Sequence, residues 1–341
     1  MINQNILNLN TRNDFTKNNN KALYKKGSHN FSKPTQCANQ MNGSPLSLQN
    51  IESCFSSSLT HLDISTSNTS IAHTMEILKT QGGGHAGILQ GRKGKYATIA
   101  KPLNAEREGL FYKRIKNTPL YQCVPKFFGM KKENSNINNN NDIKQNNQKT
   151  KYWLLLQDLT NNMSSPCIAD LKIGTRTYEI NVPLSKQERQ KSLLKGTTTL
   201  THAVRCIDIC IRQNNEVLQS WNRKAGRKMN WNDLQKSLEH FLSTKQRVIQ
   251  FKDHLKFLRE KLVETYQVLP NMRLYSASIL VIYDGDKENG PVIVKLIDFG
   301  HGYTDLASEG GNIHDPSCDD NALLGIDNLL LVADSFLQNI Q

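Results

Sequence analysis

The stretch Pro166–Gly174, Pro-Cys-Ile-Ala-Asp-Leu-Lys-Ile-Gly, decides the interpretation of this chain. Asp170 and Lys172 are two residues apart, so on an extended backbone both side chains point to one face and can serve adjoining ligands. The simpler alternative is that each pairs with a surface charge. The residues around this stretch have to decide between the two.

Upstream, a glycine-rich segment precedes a predicted β-hairpin. Gln81–His85 leads into strands expected at Gly87–Gln90 and Tyr96–Ala100, joined by the basic turn Gly91–Gly94. A glycine-rich loop of this kind is suited to covering phosphate groups.

Lys101 and Glu108 form a second candidate pair. Lys101 ends the second predicted strand, and Glu108 lies on a helix predicted over Glu106–Ile115. The two could meet as an ion pair, although exposed Lys and Glu residues are common on any surface.

Asp298 is the candidate metal ligand. It directly follows a strand predicted at Val292–Ile297, where a carboxylate could hold a hard cation at the mouth of a cleft. The strand predicted over Tyr275–Tyr283 places Ser276 and Ser278 on one face, where their hydroxyls could face phosphates and metal. An Asp before Phe-Gly is otherwise a common turn residue.

The remaining pattern mixes strands and helices. Apolar periodicity predicts strands at Lys151–Thr160 and Val204–Arg212, and helices at Ser185–Lys195, Trp231–Leu242 and Arg247–Tyr266. The segment Asp284–Gly290 suits the turn of a β-hairpin. We therefore expect an α+β protein with two lobes and a cleft between them.

Composition restricts the partners. A formal charge of +13 favours an anionic partner, whether nucleic acid, an acidic membrane surface or a small polyphosphate. No RNA-binding aromatic motif or Cys/His zinc spacing occurs, so a nucleic acid is not required, and no stretch approaches the roughly 18 apolar residues of a membrane span. Seven cysteines without CxxC pairs fit reduced thiols and a cytoplasmic or nuclear location.

Two polar tracts divide the chain. Residues 1–70, rich in Asn and Ser, are expected to be a disordered tail, and residues 71–341 a single domain. We expect an N-lobe at about 71–160, with a low-complexity insertion at about 131–150, and a C-lobe at about 161–341.

The Pro166–Gly174 stretch matches the PxxxDxKxG pattern of the inositol polyphosphate kinase family, which the chain resembles over about residues 81–330. Further shared segments follow in family order: Gly83–His85, Lys101–Leu103, Arg107–Glu108 with Phe111–Tyr112, Ser276–Leu280 and Asp298–His301. The resemblance implies a two-lobed fold distantly related to protein kinases. It also implies that MgATP binds in the cleft between the lobes, with an inositol phosphate beside it.

The resemblance also implies roles at the nucleotide. Lys101 resembles the lysine that holds the ATP phosphates, with Glu108 as its partner. Gln157 and Leu159 resemble the connector whose backbone meets adenine. Asp170 resembles the carboxylate of the ATP site, placed on the ribose.

Other roles concern metal and acceptor. Lys172 resembles a catalytic lysine that reaches the substrate phosphates near the transferred group. Ser278 and Asp298 resemble the family residues that bind the metal ion and the ATP phosphates, and Asp298 also resembles a catalytic residue. His301 falls where family members place a substrate contact.

The basic helix Ser185–Lys195 lies where the family carries its substrate-binding segment. Lys191 and Lys195 are i,i+4 neighbours that present two cations along one helical face, although an isolated basic helix is usually a solvated surface. If they do not bind substrate, the next candidates are Lys224, Arg227 and Lys228.

The chain departs from the family pattern at three points. Gly300 stands where Ala is common, and Ser276 and Ser278 stand where the family has consecutive serines. Asp208 stands where Gly is usual, which changes what the backbone there can adopt.

Three branches share the fold: trisphosphate 3-kinases, multikinases and hexakisphosphate kinases. No large insertion separates Lys172 from Arg205, which counts against the first. Segments such as Arg273–Tyr275 resemble hexakisphosphate kinases, whereas Val124–Gly129 resembles multikinases. The expected reaction converts inositol hexakisphosphate to a diphosphoinositol pentakisphosphate. A multikinase acting on tris- and tetrakisphosphates and an inactive polyanion-binding scaffold are the alternatives.

Overall fold

The structure is a computed structural model. It describes residues 76–77, 88–103, 106–133 and 151–339. Three sequence-based predictions fall outside the described residues: the tail over 1–70, the glycine-rich segment Gln81–His85, and most of the insertion, 134–150.

One antiparallel sheet forms the N-lobe, in the order β1-β2-β3-β5-β4. Its strands are β1 Glu76–Ile77, β2 Leu89–Lys93, β3 Tyr96–Leu103, β4 Phe127–Glu133 and β5 Lys151–Gln157. β3 is central, and along most of its length two buried residues follow each less buried one, with Lys101 among the buried residues. This register carries Lys101 toward the C-lobe.

The β2–β3 turn is shorter than predicted. β2 continues to Lys93, which pairs with Tyr96, so only Gly94 and Lys95 form the turn. Gly94 has φ +58, the left-handed conformation that a two-residue turn demands. The predicted turn Gly91–Gly94 was wrong because most of its residues extend the ladder.

Helix α1, Arg107–Ile115, matches the predicted helix. Its buried face includes Glu108, Phe111 and Tyr112. Phe111 stacks on Phe299 of the C-lobe with ring centroids 4.5 Å apart, so α1 packs against the segment that carries Asp298.

A second antiparallel sheet forms the C-lobe, in the order β10-β9-β6-β7-β8. Its strands are β6 Pro166–Ile173, β7 Val204–Gln213, β8 Glu216–Trp221, β9 Ser278–Asp284 and β10 Ile293–Ile297. β6 carries the Pro166–Gly174 motif and lies in the middle, which fixes Asp170 and Lys172 on a rigid support.

Helices cover the second sheet. They are α2 Leu184–Leu194, α3 Thr198–His202, α4 Arg223–Gly226, α5 Trp231–Leu242, α6 Lys245–Val268 and α7 Ala322–Asn339. α5 has the predicted bounds because Asn230 and Asp233 form a capping box at its start. The core combines apolar faces of these helices with the inner face of the sheet.

Six elements were not predicted: β1, β8, α3, α4, α7 and the strand β4, part of which the sequence assigned to the insertion. β4 continues through Lys131 to Glu133, which pairs with Lys151 of β5. Pairing within the sheet therefore overrides the polar composition of this segment.

The described residues show the predicted α+β architecture with two lobes. Asp158–Ser165 connects β5 of the first sheet to β6 of the second. Among the described residues, no helix has the length and apolar content that a membrane crossing requires.

Candidate active site

A cavity of about 320 Å³ lies between the two sheets. Its lining includes residues of β3, α1, β6, α2, β7, α4 and the segment after β10: Lys101, Glu108, Lys172, Gln190, Leu193, Leu194, Arg205, Ile207, Arg223, Arg227, Asp298 and His301. Thr177, Ser276 and Gly300 complete the lining. The cavity therefore brings together segments from both lobes.

Lys101 joins the lobes electrostatically. Its Nζ lies 3.1 Å from Oε1 of Glu108, the predicted ion pair, and 2.5 Å from Oδ1 of Asp298. Burial disfavours the charge on Lys101, but the two carboxylates outweigh it and raise its pKa. Burial, together with repulsion from Asp298, raises the pKa of Glu108 despite the pairing with Lys101.

The chain holds Asp298 in an unusual backbone conformation. Asp298 has φ +68 directly after β10, in a region that Asp and Asn tolerate better than most residues. The next residue, Phe299, is buried between Phe111 and Tyr112 of α1. This packing aims the carboxylate at the cleft.

Lys172 is held by the segment before β9. Its Nζ donates to the carbonyl oxygen of Ser276 at 2.5 Å and to Oγ of Ser276 at 2.8 Å. Burial lowers the pKa of Lys172, an effect that the charges of Arg205 and Arg223 reinforce and those of Asp298 and Asp170 oppose.

The expected pair of serines on one strand face was wrong. Ser276 lies before β9 and has φ +64, so it is not part of the strand. Ser278 begins β9 and lies opposite Lys172 in the ladder. Ser276 therefore positions Lys172, and only Ser278 is placed on the strand as predicted.

Asp170 and Ser278 carry unused hydrogen-bonding capacity. Oδ1 of Asp170 and Oγ of Ser278 are buried and make no hydrogen bond of normal geometry among the described residues, although Ser278 lies close enough to Asp170 to oppose the rise in the pKa of that carboxyl. Burial and the nearby charge of Asp298 raise the pKa of Asp170 to about 6. A buried acceptor of this kind fits a ligand donor or a cation.

The carboxylates suit an open metal site rather than a closed cage. Within the described part of the chain, no group of three His, Cys, Asp or Glu side chains could hold a metal ion. Mg²⁺ commonly uses one or two carboxylates and completes its shell with water and phosphate oxygens. Asp298 and the buried oxygen of Ser278 fit that requirement.

Three arginines that were not predicted as primary site residues reach the cavity beside Lys172. They are Arg205 of β7 with Arg223 and Arg227 at α4. Burial, Arg227 and Arg223 lower the pKa of Arg205 to about 10. Nη1 of Arg205 is buried and has no hydrogen-bond partner among the residues described. Three cations that are held together against burial and mutual repulsion provide a site for a ligand with several negative charges.

Sequence reasoning missed Arg205 and Arg223 because they come from separate segments, and it named Arg227 only as a reserve candidate. Two features could have identified these arginines. Arg223 and Arg227 are i,i+4 neighbours, and Arg205 lies among apolar residues of a predicted strand.

Helix α2 contributes different residues from those predicted. Gln190, Leu193 and Leu194 line the cavity. Lys191 and Lys195 are exposed and are not part of that lining. Their predicted role in substrate binding stays a prediction.

His301, Gln157 and Leu159 are the remaining predicted site residues. His301 lines the cavity, and its Nδ1 lies 2.9 Å from Oε1 of Glu179. Gln157 ends β5, where its backbone N–H donates to Lys126, and Leu159 is half-buried in the connector. The contact of Gln157 and Leu159 with adenine stays a prediction.

Comparisons with known proteins agree with this arrangement. The family profile IPK, inositol polyphosphate kinase, matches residues 153–334. The chain is 32% identical over 160 residues to inositol hexakisphosphate kinase 1 of Saccharomyces cerevisiae. That alignment covers 43% of this chain and 15% of the yeast protein. The chain is also 27% identical over 283 residues to the inositol polyphosphate multikinase of Schizosaccharomyces pombe. That alignment covers 78% of this chain and 99% of the multikinase.

A solved structure shows the same fold. It is the inositol phosphate multikinase Ipk2 of S. cerevisiae in complex with ADP and Mn²⁺, with a TM-score of 0.53 and 22% identity. The match covers 70% of this chain and 99% of that one. The family profile spans more than half of the chain, which confirms the family and the enzyme class expected from the sequence. The chain belongs to the inositol polyphosphate kinase family, a family of phosphotransferases.

Proposed function

We propose that this protein transfers the γ-phosphoryl group of ATP to an inositol polyphosphate, with inositol hexakisphosphate as the first candidate acceptor. The observation that carries the proposal is the position of Lys172. It lines one cavity with the Lys101–Asp298 pair and the three arginines Arg205, Arg223 and Arg227, and its charge interacts with Asp298 as well as with Arg205 and Arg223. A phosphoryl donor on one side and a polyanionic acceptor on the other would meet at Lys172.

Lys101 serves the donor. Its ammonium is kept charged by Glu108 and Asp298 and is therefore available to the β- and γ-phosphates of a nucleotide. Lys172 is fixed by Ser276 and stabilises the charge that develops on the transferred group in a partly dry site. These two lysines act by position and charge, without a covalent enzyme intermediate.

Asp298 and Ser278 are the proposed Mg²⁺ ligands. A bound Mg²⁺ would neutralise phosphate charge and orient the leaving group. The buried Oγ of Ser278 and the cleft-facing carboxylate of Asp298 supply oxygen ligands of the kind this ion prefers. The ADP and Mn²⁺ in the Ipk2 structure support a nucleotide and a divalent cation here.

The arginines serve the acceptor. Arg205 has a buried donor without a partner among the described residues, and Arg223 and Arg227 add two more cations to the lining of the same cavity. An acceptor with many phosphates would satisfy all three, whereas a neutral sugar would leave them repelling one another. The similarity to hexakisphosphate kinase 1 supports the most highly phosphorylated acceptor.

One observation favours a second candidate, a multikinase acting on inositol tris- and tetrakisphosphates. The S. pombe multikinase aligns with this chain along 99% of its own length, whereas hexakisphosphate kinase 1 aligns along 15%. Both candidates use the same donor site and differ only in the acceptor.

Product analysis separates the candidates. The protein is incubated with MgATP and, in separate reactions, with inositol tris-, tetrakis-, pentakis- and hexakisphosphate, and the products are resolved by anion exchange. A diphosphoinositol product from hexakisphosphate supports the first candidate. Turnover confined to the lower phosphates supports the second, and binding of all acceptors without turnover would indicate an inactive polyanion-binding scaffold.

A further inference from the structure

A second cavity lies outside the cleft, against helix α1. Its volume is about 730 Å³, compared with about 320 Å³ for the cleft cavity, and falls within the range of small-molecule sites. Residues of α1 form one wall, and residues of the segment 302–309, which follows Asp298 in the chain, form the other. None of the described residues that line this cavity also lines the cleft cavity, so the two are separate sites.

The α1 wall carries cations along one side of the helix. Arg107, Leu110 and Arg114 lie at i, i+3 and i+7 and therefore share one face, and Lys113 lies beside them in the cavity lining. Arg107 and Arg114 are separated by about 10 Å along the helix axis. Against these three cations, the described lining contains one carboxylate, Glu309. The cavity therefore has an excess of positive charge spread over two helical turns.

The helix dipole accounts for only part of this charge. Lys113 and Arg114 lie in the last turn of α1, where cations are favoured, but Arg107 is the first residue of the helix, where the dipole disfavours a cation. Lys113 and Arg114 are exposed, and neither forms an ion pair with another described residue. Their charges are therefore available to an anionic ligand.

Arg107 is held in place by two different contacts. Its guanidinium lies 4.5 Å from the ring centroid of Tyr303, and its two terminal nitrogens donate to Glu309 at 2.9 and 2.8 Å. The side chains of Arg107 and Glu309 are 28% and 41% exposed, and an ion pair with that exposure contributes little stability. An anion can therefore replace Glu309 at small cost, while the Tyr303 ring keeps the guanidinium in position.

The floor of the cavity is preformed. Phe111 of the lining stacks on Phe299 with ring centroids 4.5 Å apart. A Cβ at Gly302 would lie 2.9 Å from the Phe111 ring, so the backbone of the segment 302–309 lies directly against that ring. Leu110 adds an apolar side chain that is 51% exposed. A ligand would therefore enter an existing cavity with a cationic side and an apolar floor.

We propose that this cavity is a second anion site, which binds a small polyphosphate through Arg107, Lys113 and Arg114 and displaces Glu309 from Arg107. Several phosphates on one small molecule match cations that are spaced along two helical turns. Inorganic polyphosphates, nucleotides and inositol polyphosphates share this chemistry. The site goes beyond the proposed reaction and does not depend on it.

The experiment measures how fast N-hydroxysuccinimide acetate acetylates single lysines of the full chain, by peptide mass spectrometry in the presence of EDTA. Tripolyphosphate, ATP and inositol hexakisphosphate are the probes, and the one that protects at the lowest concentration identifies the source of the phosphates. We expect saturating tripolyphosphate to slow acetylation of Lys113 at least about threefold, because a bound anion favours the charged ammonium, which does not react. Lys116, which is exposed at the end of α1 and outside the lining, should react at an unchanged rate.

Two variants should move the half-protecting concentration of tripolyphosphate in opposite directions. Glu309→Gln should lower it about two- to fivefold, because the competing carboxylate is removed from Arg107. Arg114→Ala should raise it about fivefold or more, because one of the cations is lost. The matched control Arg92→Ala removes the same charge from an exposed position of β2 and should match the parent.

A further variant separates this cavity from the cleft. Arg223→Ala with Arg227→Ala should leave the protection of Lys113 unchanged, and a parallel weakening would overturn the proposal by tracing protection to the cleft. Equal protection of Lys113 and Lys116, no protection, or weaker binding in Glu309→Gln would also overturn it. Stronger protection by an oligoglutamate peptide than by tripolyphosphate would replace the small ligand with an acidic protein segment. Protection of Lys113 without turnover of any inositol phosphate would overturn the proposed function alone.

Discussion

The ammonium of Lys101 donates to Oδ1 of Asp298 across the cleft, at 2.5 Å. Lys101 belongs to the N-lobe sheet, and Asp298 follows the last strand of the C-lobe sheet. The same ammonium holds Glu108 of α1, so one cation bridges two carboxylates from different elements. A nucleotide phosphate or a metal ion arriving here would change the partners of both Lys101 and Asp298.

Replacement of Asp298 by Asn should lower kcat by about 10²–10⁴-fold while the protein stays folded. Asn tolerates the left-handed conformation at φ +68, so the backbone should be preserved. Initial rates over a range of Mg²⁺ concentrations, with thermal unfolding of the same samples, test this. Asp319→Asn, at an exposed residue, is the control. Near-parental activity at saturating Mg²⁺ would remove Asp298 from the metal site.

Replacement of Lys172 by Ala or Met should reduce kcat by about 10²–10³-fold and change the KM for ATP little. Met retains most of the volume of the side chain and removes the charge, so equal losses in both variants would assign the effect to the ammonium. Full initial-rate analysis against both substrates provides the measurement. A rise in KM with kcat intact would instead indicate that Lys172 only binds ground-state ligands.

Replacement of both Arg223 and Arg227 by Ala should raise the KM for the inositol phosphate about tenfold or more and weaken its dependence on salt. Both residues line the cavity, so they bind acceptor phosphates in the ground state and transition state alike. Lys191→Ala with Lys195→Ala is the matched comparison, because it removes the same charge from exposed positions of α2. If the lysine pair raised KM and the arginine pair did not, the substrate helix would be the one predicted from the sequence.

Asp284 ties the connector to the end of β9. Its carboxylate accepts from the backbone N–H groups of Ser165 at 3.0 Å and Ser164 at 3.2 Å. Although burial opposes ionisation, these bonds hold the pKa of Asp284 below its ordinary value of 3.8. The stabilisation is therefore present above that pH and is lost as the pH falls through the lowered pKa of the folded state.

Asp284→Asn should reduce the free energy of unfolding at pH 7 by about 1–2 kcal/mol, with the difference from the parent shrinking below about pH 4. Urea titrations of the parent and the variant at pH 7, 5 and 3 give the difference in the free energy of unfolding at each pH. Asp253→Asn, at an exposed position of α6, should stay within about 0.5 kcal/mol of the parent. A difference that grew on acidification would contradict the assigned role.

Both the backbone conformation at position 174 and the close approach of Asp320 require a glycine there. Gly174 has φ +85, and a Cβ there would lie 2.4 Å from the carbonyl oxygen of Asp320. Gly196 has φ +77 but meets no other described atom within 4 Å. Gly196→Ala should therefore cost about 1–2 kcal/mol from conformation alone, and Gly174→Ala clearly more. Equal losses in urea unfolding would show that the contact with Asp320 relaxes freely.

Local patterns account for much of the fold. Apolar periodicity located α1, α5 and α6, because helices follow from spacings within a single segment. Two of the strands that were missed, β4 and β8, are edge strands with polar or exposed residues, which only their pairing with β5 and β7 stabilises. A single sequence does not display that pairing.

Motifs in the sequence predicted the family, and short spacings predicted that Lys101 could pair with Glu108 and that Asp170 and Lys172 could share one face. The structure confirms the ion pair between Lys101 and Glu108. Which cations line the cavity was visible only in the folded structure. Arg205 and Arg223 come from different elements, whereas Lys191, which local spacing favoured, remains exposed on α2. Convergence of residues distant in the chain depends on sheet register, bulges and helix docking, and these are set by packing of the whole core rather than by any local pattern.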